Sequence, residues 1–250
     1  MAAIVETEGL AKSFAGYRAV DGISIAIEEG TIHAIIGPNG AGKTTFFNLL
    51  SGFLAPTAGR IRLRGREIAG MSPPRVARLG MVRSFQINSI FPHLSVLENV
   101  KISLQAKTEL STRFLASFAA TRRLDARACE LLADVGLDGM EELQAAQLSY
   151  GRKRALELAI SLAQDPQLLL LDEPTAGMGT EDVGRIARLI GRVAKGRTIV
   201  LVEHNLNVVA DLSQRITVLQ HGKVLVEGCY ADVRADQRVI DAYLGGGARA

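Results

Sequence analysis

A glycine-rich loop followed by a lysine and a threonine lies near the N-terminus of the chain. The pattern G-x-x-x-x-G-K-[ST] spans residues 37–44, directly after the apolar run 31–36 and directly before a helical pattern. In this context the loop N–H groups and the positive end of the following helix converge on phosphate oxygens. The predicted binding residues for a nucleoside triphosphate are Gly37, Pro38, Asn39, Gly40, Ala41, Gly42, Lys43, Thr44 and Thr45.

Two residues of this loop have individual roles in the prediction. Lys43 supplies a mobile cation for the β- and γ-phosphates, and Thr44 places a hydroxyl where Mg²⁺ sits in such loops. A plain glycine-rich turn is the weaker alternative, since both flanking elements are of the kind that the motif requires.

A second chemical feature is an apolar run, residues 168–171, that ends in two carboxylates, Asp172 and Glu173. If the run is a buried strand, its carboxyl end meets the phosphate loop at the same edge of the sheet. Asp172 is then expected to hold Mg²⁺, and Glu173 to polarise or deprotonate the water that attacks the γ-phosphate. Alone, such a pair is as often a loop charge or a helix cap.

Short apolar runs predict the strands that position these groups. They are typical of parallel strands covered on both faces, and they occupy residues 31–36, 167–171, 198–202 and 216–219. Residues 23–27 alternate with period two, which predicts a half-buried strand, and residues 219–224 predict a hairpin turn. Helical spacing covers residues 43–54, 127–135, 154–162 and 181–194.

These elements predict an α/β fold, namely a P-loop NTPase core with a mostly parallel sheet, an N-terminal antiparallel β subdomain and an inserted helical subdomain. We expect one nucleotide-binding domain over residues 1–250, with its core at about 1–86 and 163–250 and the helical subdomain at about 87–162. Residues 108–123 are both apolar and basic, a composition that a membrane-surface helix can have, but we expect the more common arrangement, packing against neighbours.

The composition excludes several other classes. With 48% hydrophobic and 22% charged residues, the 250-residue chain is not of the disordered type. Its net charge of +3 includes no basic run, so no nucleic-acid partner is expected. Cys129 and Cys229 are far apart in sequence, which indicates neither a disulfide framework nor a zinc site. No segment approaches the length of a membrane span, so any work at a membrane is expected to require docking on another subunit.

Further motifs indicate which class of nucleotide hydrolase this is. Leu148-Ser149-Tyr150-Gly151 resembles the signature motif of ATP-binding cassette (ABC) ATPases. The resemblance implies that Ser149, Tyr150 and Gly151 contact ATP held by a second chain, so that ATP joins two subunits head to tail with two sites per dimer. ATP and Mg²⁺ are therefore the expected cofactors.

Two more positions match the same family. Gln86 resembles the Q-loop glutamine and His204, after the run 198–202, resembles the switch histidine. The resemblance implies that Gln86 meets Mg²⁺ and the attacking water, that His204 contacts the γ-phosphate, and that both act with Glu173 in catalysis. A lone histidine at a strand end is usually structural, and only its position in this order of motifs argues otherwise.

Phe14, 23 residues before Gly37, matches the aromatic residue that stacks on adenine in this family. Tyr17 is the second candidate for that role. Simple packing remains the alternative for either ring.

Within the family, the sequences at residues 83–86, 148–151, 173–178 and 242–245 resemble the ATPases of branched-chain amino-acid importers, the LivG-type group. Relatives that serve urea or short amides, and a lipopolysaccharide-export ATPase, share parts of this pattern. An ABC ATPase working away from the membrane and a regulatory subunit without hydrolysis are the competing classes. Heptads and internal repeats are missing, which argues against the first, and Glu173 and His204 argue against the second.

The resemblance implies a set of partners and a location. These are a second ATP-binding subunit in a homo- or heterodimer, two integral-membrane permease subunits and, indirectly, a solute-binding protein. The chain is expected to be peripheral, at the cytoplasmic face of the inner membrane.

Two residues depart from the family pattern. Arg152 stands where the signature usually continues with glutamine, and Gly179 stands where the D-loop usually has Asp or Asn. We expect Gly179 to loosen communication between the two sites and to lower turnover.

Overall fold

The computed structural model describes residues 2–84, 90–107 and 118–244. The predicted site residue Gln86 lies outside them, as do residues 108–117 and Gly245. The strands are β1 (Ala3–Phe14), β2 (Tyr17–Ile23), β3 (Ala26–Glu28), β4 (Ile32–Ile36), β5 (Ala58–Leu63), β6 (Arg66–Glu67), β7 (Met81–Arg83), β8 (Leu168–Asp172), β9 (Thr198–Val202), β10 (Arg215–Gln220) and β11 (Lys223–Gly228). The helices are α1 (Lys43–Leu50), α2 (Pro73–Arg78), α3 (Val96–Lys107), α4 (Phe118–Asp134), α5 (Tyr150–Leu162), α6 (Thr180–Val193), α7 (Leu206–Leu212), α8 (Tyr230–Ala235) and α9 (Gln237–Leu244).

The larger sheet has the order β11-β10-β4-β9-β8-β7 and is parallel except for the edge strand β11. Every residue of β4 and β9 is buried, because one face of the sheet packs on helices and the other on α1 and on strands β1, β2 and β5. The predicted apolar strands and the β10–β11 hairpin are therefore confirmed. Since β4, β9 and β8 are neighbours, the loops after them meet at one edge.

The smaller sheet is antiparallel and has the order β2-β1-β5-β6, with β3 also paired to β1. It corrects one prediction, because residues 23–27 are not one strand. The chain leaves the ladder at Ser24 and Ile25, where the Thr7 hydroxyl donates to Ile23 O and accepts from Ile25 N. The alternation still marks burial, since Ile23, Ile25 and Ile27 all point into the core.

Two helix boundaries also differ from the prediction. Helix α1 ends at Leu50 instead of continuing to residue 54, because Gly52 turns the chain with a φ of 77°. Helix α5 begins at Tyr150, four residues earlier than predicted, so the signature motif is itself the start of the helix.

The described residues between β7 and β8 contain α3, α4, a short 3-10 turn at Ala145–Gln147 and α5. Their apolar faces share one core with the sheet, in which Val100 and Leu131 belong to the same cluster as Leu169 and Leu201. None of the described helices is both long and apolar enough to cross a bilayer.

Candidate active site

The phosphate loop connects β4 to α1, and its shape depends on glycine at two positions. A Cβ on Gly37 would lie 2.1 Å from Leu219 O, and a Cβ on Gly42 would lie 2.4 Å from Ala19 O. Both residues also have positive φ, 150° and 100°. Gly42 precedes α1 as its N-cap residue and offers no side chain, so the first N–H groups of α1 remain available to a ligand.

Lys43 is folded into this loop. Its side chain is 6% exposed, and Nζ donates hydrogen bonds to Gly37 O at 2.7 Å and Pro38 O at 3.1 Å. Burial lowers the pKa of Lys43, while the nearby carboxylates of Glu173 and Asp172 act in the opposite direction. The ammonium is therefore held by two neutral carbonyls inside the site, where an anionic phosphate is a stronger partner.

A cleft of about 280 Å³ lies over the loop. This volume is close to the lower end of small-molecule sites, about 300 Å³. The residues that line the cleft are Tyr17, Ala19, Asn39, Gly40, Ala41, Gly42, Lys43, Thr44, Thr45, Glu173 and His204.

The two aromatic candidates occupy the hairpin between β1 and β2. Tyr17 is 63% exposed and lines the cleft, whereas Phe14 is 44% exposed, is not among the lining residues and has Lys12 Nζ 5.3 Å from its ring centroid. Of the two rings, Tyr17 is better placed for a base.

Glu173 and His204 meet across the cleft because they follow neighbouring parallel strands. Asp172 of β8 is in register with Val202 of β9, and Glu173 N donates to Val202 O at 2.9 Å. His204 Nε2 lies 2.9 Å from Glu173 Oε1. Glu173 has a φ of 48°, an uncommon conformation for a residue with a side chain. A carboxylate that faces the phosphate loop and touches an imidazole is suited to accept a proton from a water molecule.

Asp172 makes an ion pair that no pattern in the sequence predicted. Arg83 Nη2 is 2.5 Å from Asp172 Oδ2, each side chain is 12% exposed, and the guanidinium also donates to Asn48 Oδ1. Arg83 ends β7, the strand next to β8. The sequence signal that could have identified Arg83 is a charged residue at the end of an apolar strand, which places it at the same edge of the sheet as Asp172.

The donor set here fits Mg²⁺. Thr44 and Asp172 offer only oxygen atoms, which are the ligands that Mg²⁺ prefers, and this metal usually keeps waters and binds substrate phosphates rather than a full set of protein ligands. The described residues contain no group of three or more His, Cys, Asp and Glu side chains that could hold a metal ion.

The signature residues lie elsewhere, outside the lining of the cleft. Ser149 is the exposed N-cap residue of α5, and its hydroxyl makes no capping hydrogen bond. Tyr150 is 39% exposed and its hydroxyl donates to Ala176 O at 3.0 Å. Gly151 is packed so closely that a Cβ would lie 3.0 Å from Asp182 Oδ1. Predicted residues 39–45, Glu173 and His204 thus line the cleft, whereas Ser149, Tyr150 and Gly151, which we call the surface set, do not.

The fold and the cleft together define a P-loop nucleotide hydrolase of the α/β class. Comparison with known families narrows the class. A family model described as ABC transporter matches residues 20–176, and one described as branched-chain amino acid ATP-binding cassette transporter matches residues 223–249. The chain belongs to the ABC transporter family and is one of its ATPases.

Individual relatives match along nearly the whole chain. The high-affinity branched-chain amino acid transport ATP-binding protein BraF of Pseudomonas aeruginosa is 38% identical over 251 residues, with 97% of this chain and 98% of BraF covered. The protein LivG of Escherichia coli, which has the same description, is 38% identical over 250 residues with the same coverage.

Solved structures agree with these relatives. The ADP conformation of MJ1267, an ATP-binding cassette of an ABC transporter, has a TM-score of 0.88 at 28% identity and covers 98% of this chain and 100% of that one. A dimeric, post-hydrolysis structure of the cassette MJ0796 bound to ADP and phosphate has a TM-score of 0.76 at 25% identity and covers 90% of this chain and 98% of that one.

Proposed function

We propose that this chain is the ATP-hydrolysing motor subunit of an importer for branched-chain or related amino acids. Hydrolysis rests on the contact between Glu173 and His204 above the phosphate loop. The substrate class rests on the match of residues 223–249 and on the names of the relatives that match the whole chain.

Within the cleft each residue has a distinct task. The loop N–H groups and Lys43 bind the phosphates, and Lys43 exchanges its two carbonyl partners for phosphate oxygens. Glu173 accepts a proton from the attacking water, and His204 orients Glu173 and contacts the γ-phosphate. Mg²⁺, when bound, neutralises charge that develops on the phosphates, and Thr44, Asp172 and Gln86 are the residues assigned to hold it.

The adenine is assigned to the hairpin between β1 and β2. Tyr17 lines the cleft and Phe14 stands beside it, so both rings remain candidates, with Tyr17 favoured by position. Loss of ATP affinity in Tyr17→Ala but not in Phe14→Ala is the outcome expected from this placement, and the reverse result would assign Phe14.

The surface set requires a second chain. Ser149 and Tyr150 are exposed at the N-terminus of a 13-residue helix, and we assign them, with the buried Gly151, to the γ-phosphate of ATP bound by the partner subunit. The structure of the similar cassette MJ0796, which is dimeric and bound to ADP and phosphate, supports the formation of a dimer. Two such cassettes would act on two membrane permease subunits fed by a solute-binding protein, with the chain peripheral at the cytoplasmic face of the inner membrane.

Reconstitution tests the proposal. The chain is copurified with its membrane partners and placed in lipid vesicles with the solute-binding protein, and ATP hydrolysis is measured with leucine, isoleucine, valine, urea or acetamide. Stimulation by the branched-chain amino acids supports the proposal, and stimulation by urea or acetamide alone overturns the substrate class. Vesicles carrying Glu173→Gln provide the background rate.

A further inference from the structure

Glu203 is a buried carboxylate with no assigned role. It directly follows β9, directly precedes His204 and is 3% exposed. A buried carboxylate is costly unless its oxygens accept hydrogen bonds. Glu203 accepts four from the described residues, and all four donors are neutral.

The two carboxylate oxygens bind two different loops. Oε1 accepts from Thr175 N at 3.0 Å and from the Thr175 hydroxyl, while Oε2 accepts from His204 N at 2.9 Å and Asn205 N at 3.1 Å. We call this set of four hydrogen bonds the Glu203 clasp. It joins the turn that follows β8 to the turn that follows β9.

The clasp lies directly behind the Glu173 and His204 pair. Thr175 is two residues after Glu173, and His204 is the next residue after Glu203. Glu173 holds a left-handed φ of 48°, which costs energy and persists only where neighbouring contacts enforce it. The bond from Glu173 N to Val202 O is one such contact, and the clasp supplies two more to the same turn, both at Thr175.

We propose that Glu203 is a positioning residue for ATP hydrolysis, which fixes the separation of Glu173 and His204 by clamping the two turns that carry them. This inference rests on the proposed roles of Glu173 and His204. The positioning role also explains why residue 203 is a glutamate and not a glutamine. Glutamine has the same shape, but its amide nitrogen would face either the Thr175 donors or the His204 and Asn205 donors.

Steady-state kinetics of the full chain test the proposal. We expect Glu203→Gln to lower kcat by about tenfold to a hundredfold, the range that small misplacements of reacting groups produce. KM and the dissociation constant for ATP should stay within about twofold, because no phosphate contact involves Glu203. Glu227→Gln, which removes the same charge from an exposed ion pair with Arg215, is the matched control and should retain the wild-type kcat. A wild-type kcat in Glu203→Gln would overturn the proposal.

A spectroscopic measurement separates positioning from general stability. In the wild-type background, Glu173→Gln should change the ring ¹⁵N shifts of His204, because the two groups are 2.9 Å apart. In the Glu203→Gln background the same substitution should produce less than about half of that change, since the pair is no longer held together. An equal change in both backgrounds would reject the clasp.

A milder pair of variants covers the case in which Glu203→Gln does not fold. Thr175→Ser keeps the hydroxyl donor and should match the wild type, whereas Thr175→Val loses it and should lower kcat severalfold at unchanged ATP affinity. Equal rates for the two variants would overturn the proposal. A normal rate in Glu173→Gln would instead show that the proposed function of the cleft is wrong.

Discussion

The N-termini of α1 and α5 both follow short loops, and neither helix has a side chain that caps its first N–H groups. At α1 the surroundings carry charged side chains, because Lys43, Glu173 and His204 line the same cleft. At α5, Ser149 and Tyr150 are exposed and lie outside the lining of the cleft. Under the proposed function, the first region binds the nucleotide of its own chain and the second contacts the nucleotide of a partner chain.

The two regions also differ in how they are attached to the fold. The phosphate loop extends from β4, in which every residue is buried. The start of α5 is held by contacts to the segment after β8, through Tyr150 to Ala176 O and through Gly151 against Asp182. The turn that carries Glu173 therefore contacts α5 of its own chain, which connects the cleft physically to the N-terminus of α5.

Glu173→Gln should produce the largest effect, and it tests whether the cleft alone performs the chemistry. A lost general base lowers rates by about 10² to 10⁴, so ATP turnover should nearly stop. ATP affinity should be retained, and the variant should accumulate as a dimer in ATP, measured by light scattering after size exclusion. A variant that stays monomeric in ATP would contradict the assignment of the α5 N-terminus to a partner's nucleotide.

Lowering the pH should have opposite effects on the stability contributed by β4, which precedes the phosphate loop, and by α5. Burial lowers the pKa of His33, on β4, to about 4 from 6.5, so the unfolded chain binds more protons between these values. The free energy of unfolding should then fall by about 3 kcal/mol as the pH falls from 6.5 to 4. Burial raises the pKa of Glu157, which lies in the middle of α5. At this group the folded state therefore binds more protons than the unfolded chain, and its contribution to the free energy of unfolding increases as the pH falls.

Urea titrations at pH 7 and pH 4.5, with His33→Gln as the matched variant, measure this difference. The variant should lose most of the pH dependence assigned to His33, and amide protection factors should fall in β4 more than in α5. Equal pH dependence in the wild type and His33→Gln would show that other groups control acid stability.

Mixing two inactive variants tests the two-chain site directly. Lys43→Ala should weaken ATP binding by about tenfold to a hundredfold, as expected when a charge-assisted hydrogen bond is lost. Ser149→Phe should leave ATP binding by the single chain intact and should block dimer closure. In a mixed dimer, one of the two sites combines the intact loop of one chain with the intact signature of the other.

If the sites act independently, a population of mixed dimers should therefore recover up to about half of the wild-type ATPase rate, and a 1:1 mixture that pairs at random up to about a quarter. The rates of the two separate variants provide the baseline. If the mixture forms dimers but recovers no activity, either both sites of a dimer must be intact or Ser149 acts within its own chain. These two explanations are distinguished by measuring whether Ser149→Phe alone forms a dimer.

Sequence patterns predicted the parts of this molecule that depend on neighbours along the chain. The strands around the cleft and the phosphate loop follow from apolar runs and glycine spacing, and both lie where they were expected. The ion pair of Arg83 with Asp172 was not predicted, since its partners are 89 positions apart. The break near Ser24 depends on Thr7 of another strand, and the Glu203 clasp depends on Thr175. Such contacts between distant segments leave no local pattern to recognise.

Gly179→Asp should have the smallest effect. It tests whether Gly179 limits the coupling between the two regions. Gly179 is the N-cap residue of α6, is exposed, and has open space where a Cβ would be added. An aspartate therefore fits without strain and stabilises the helix by only a few tenths of a kcal/mol relative to glycine. If the D-loop passes signals between the two nucleotides of a dimer, the ATPase rate should rise about threefold, equivalent to about 0.6 kcal/mol in the barrier. Gly184→Ala, which stabilises the same helix away from that loop, is the control. A rise in both variants would assign the effect to helix stability, whereas unchanged rate and cooperativity in Gly179→Asp would show that Gly179 does not limit coupling.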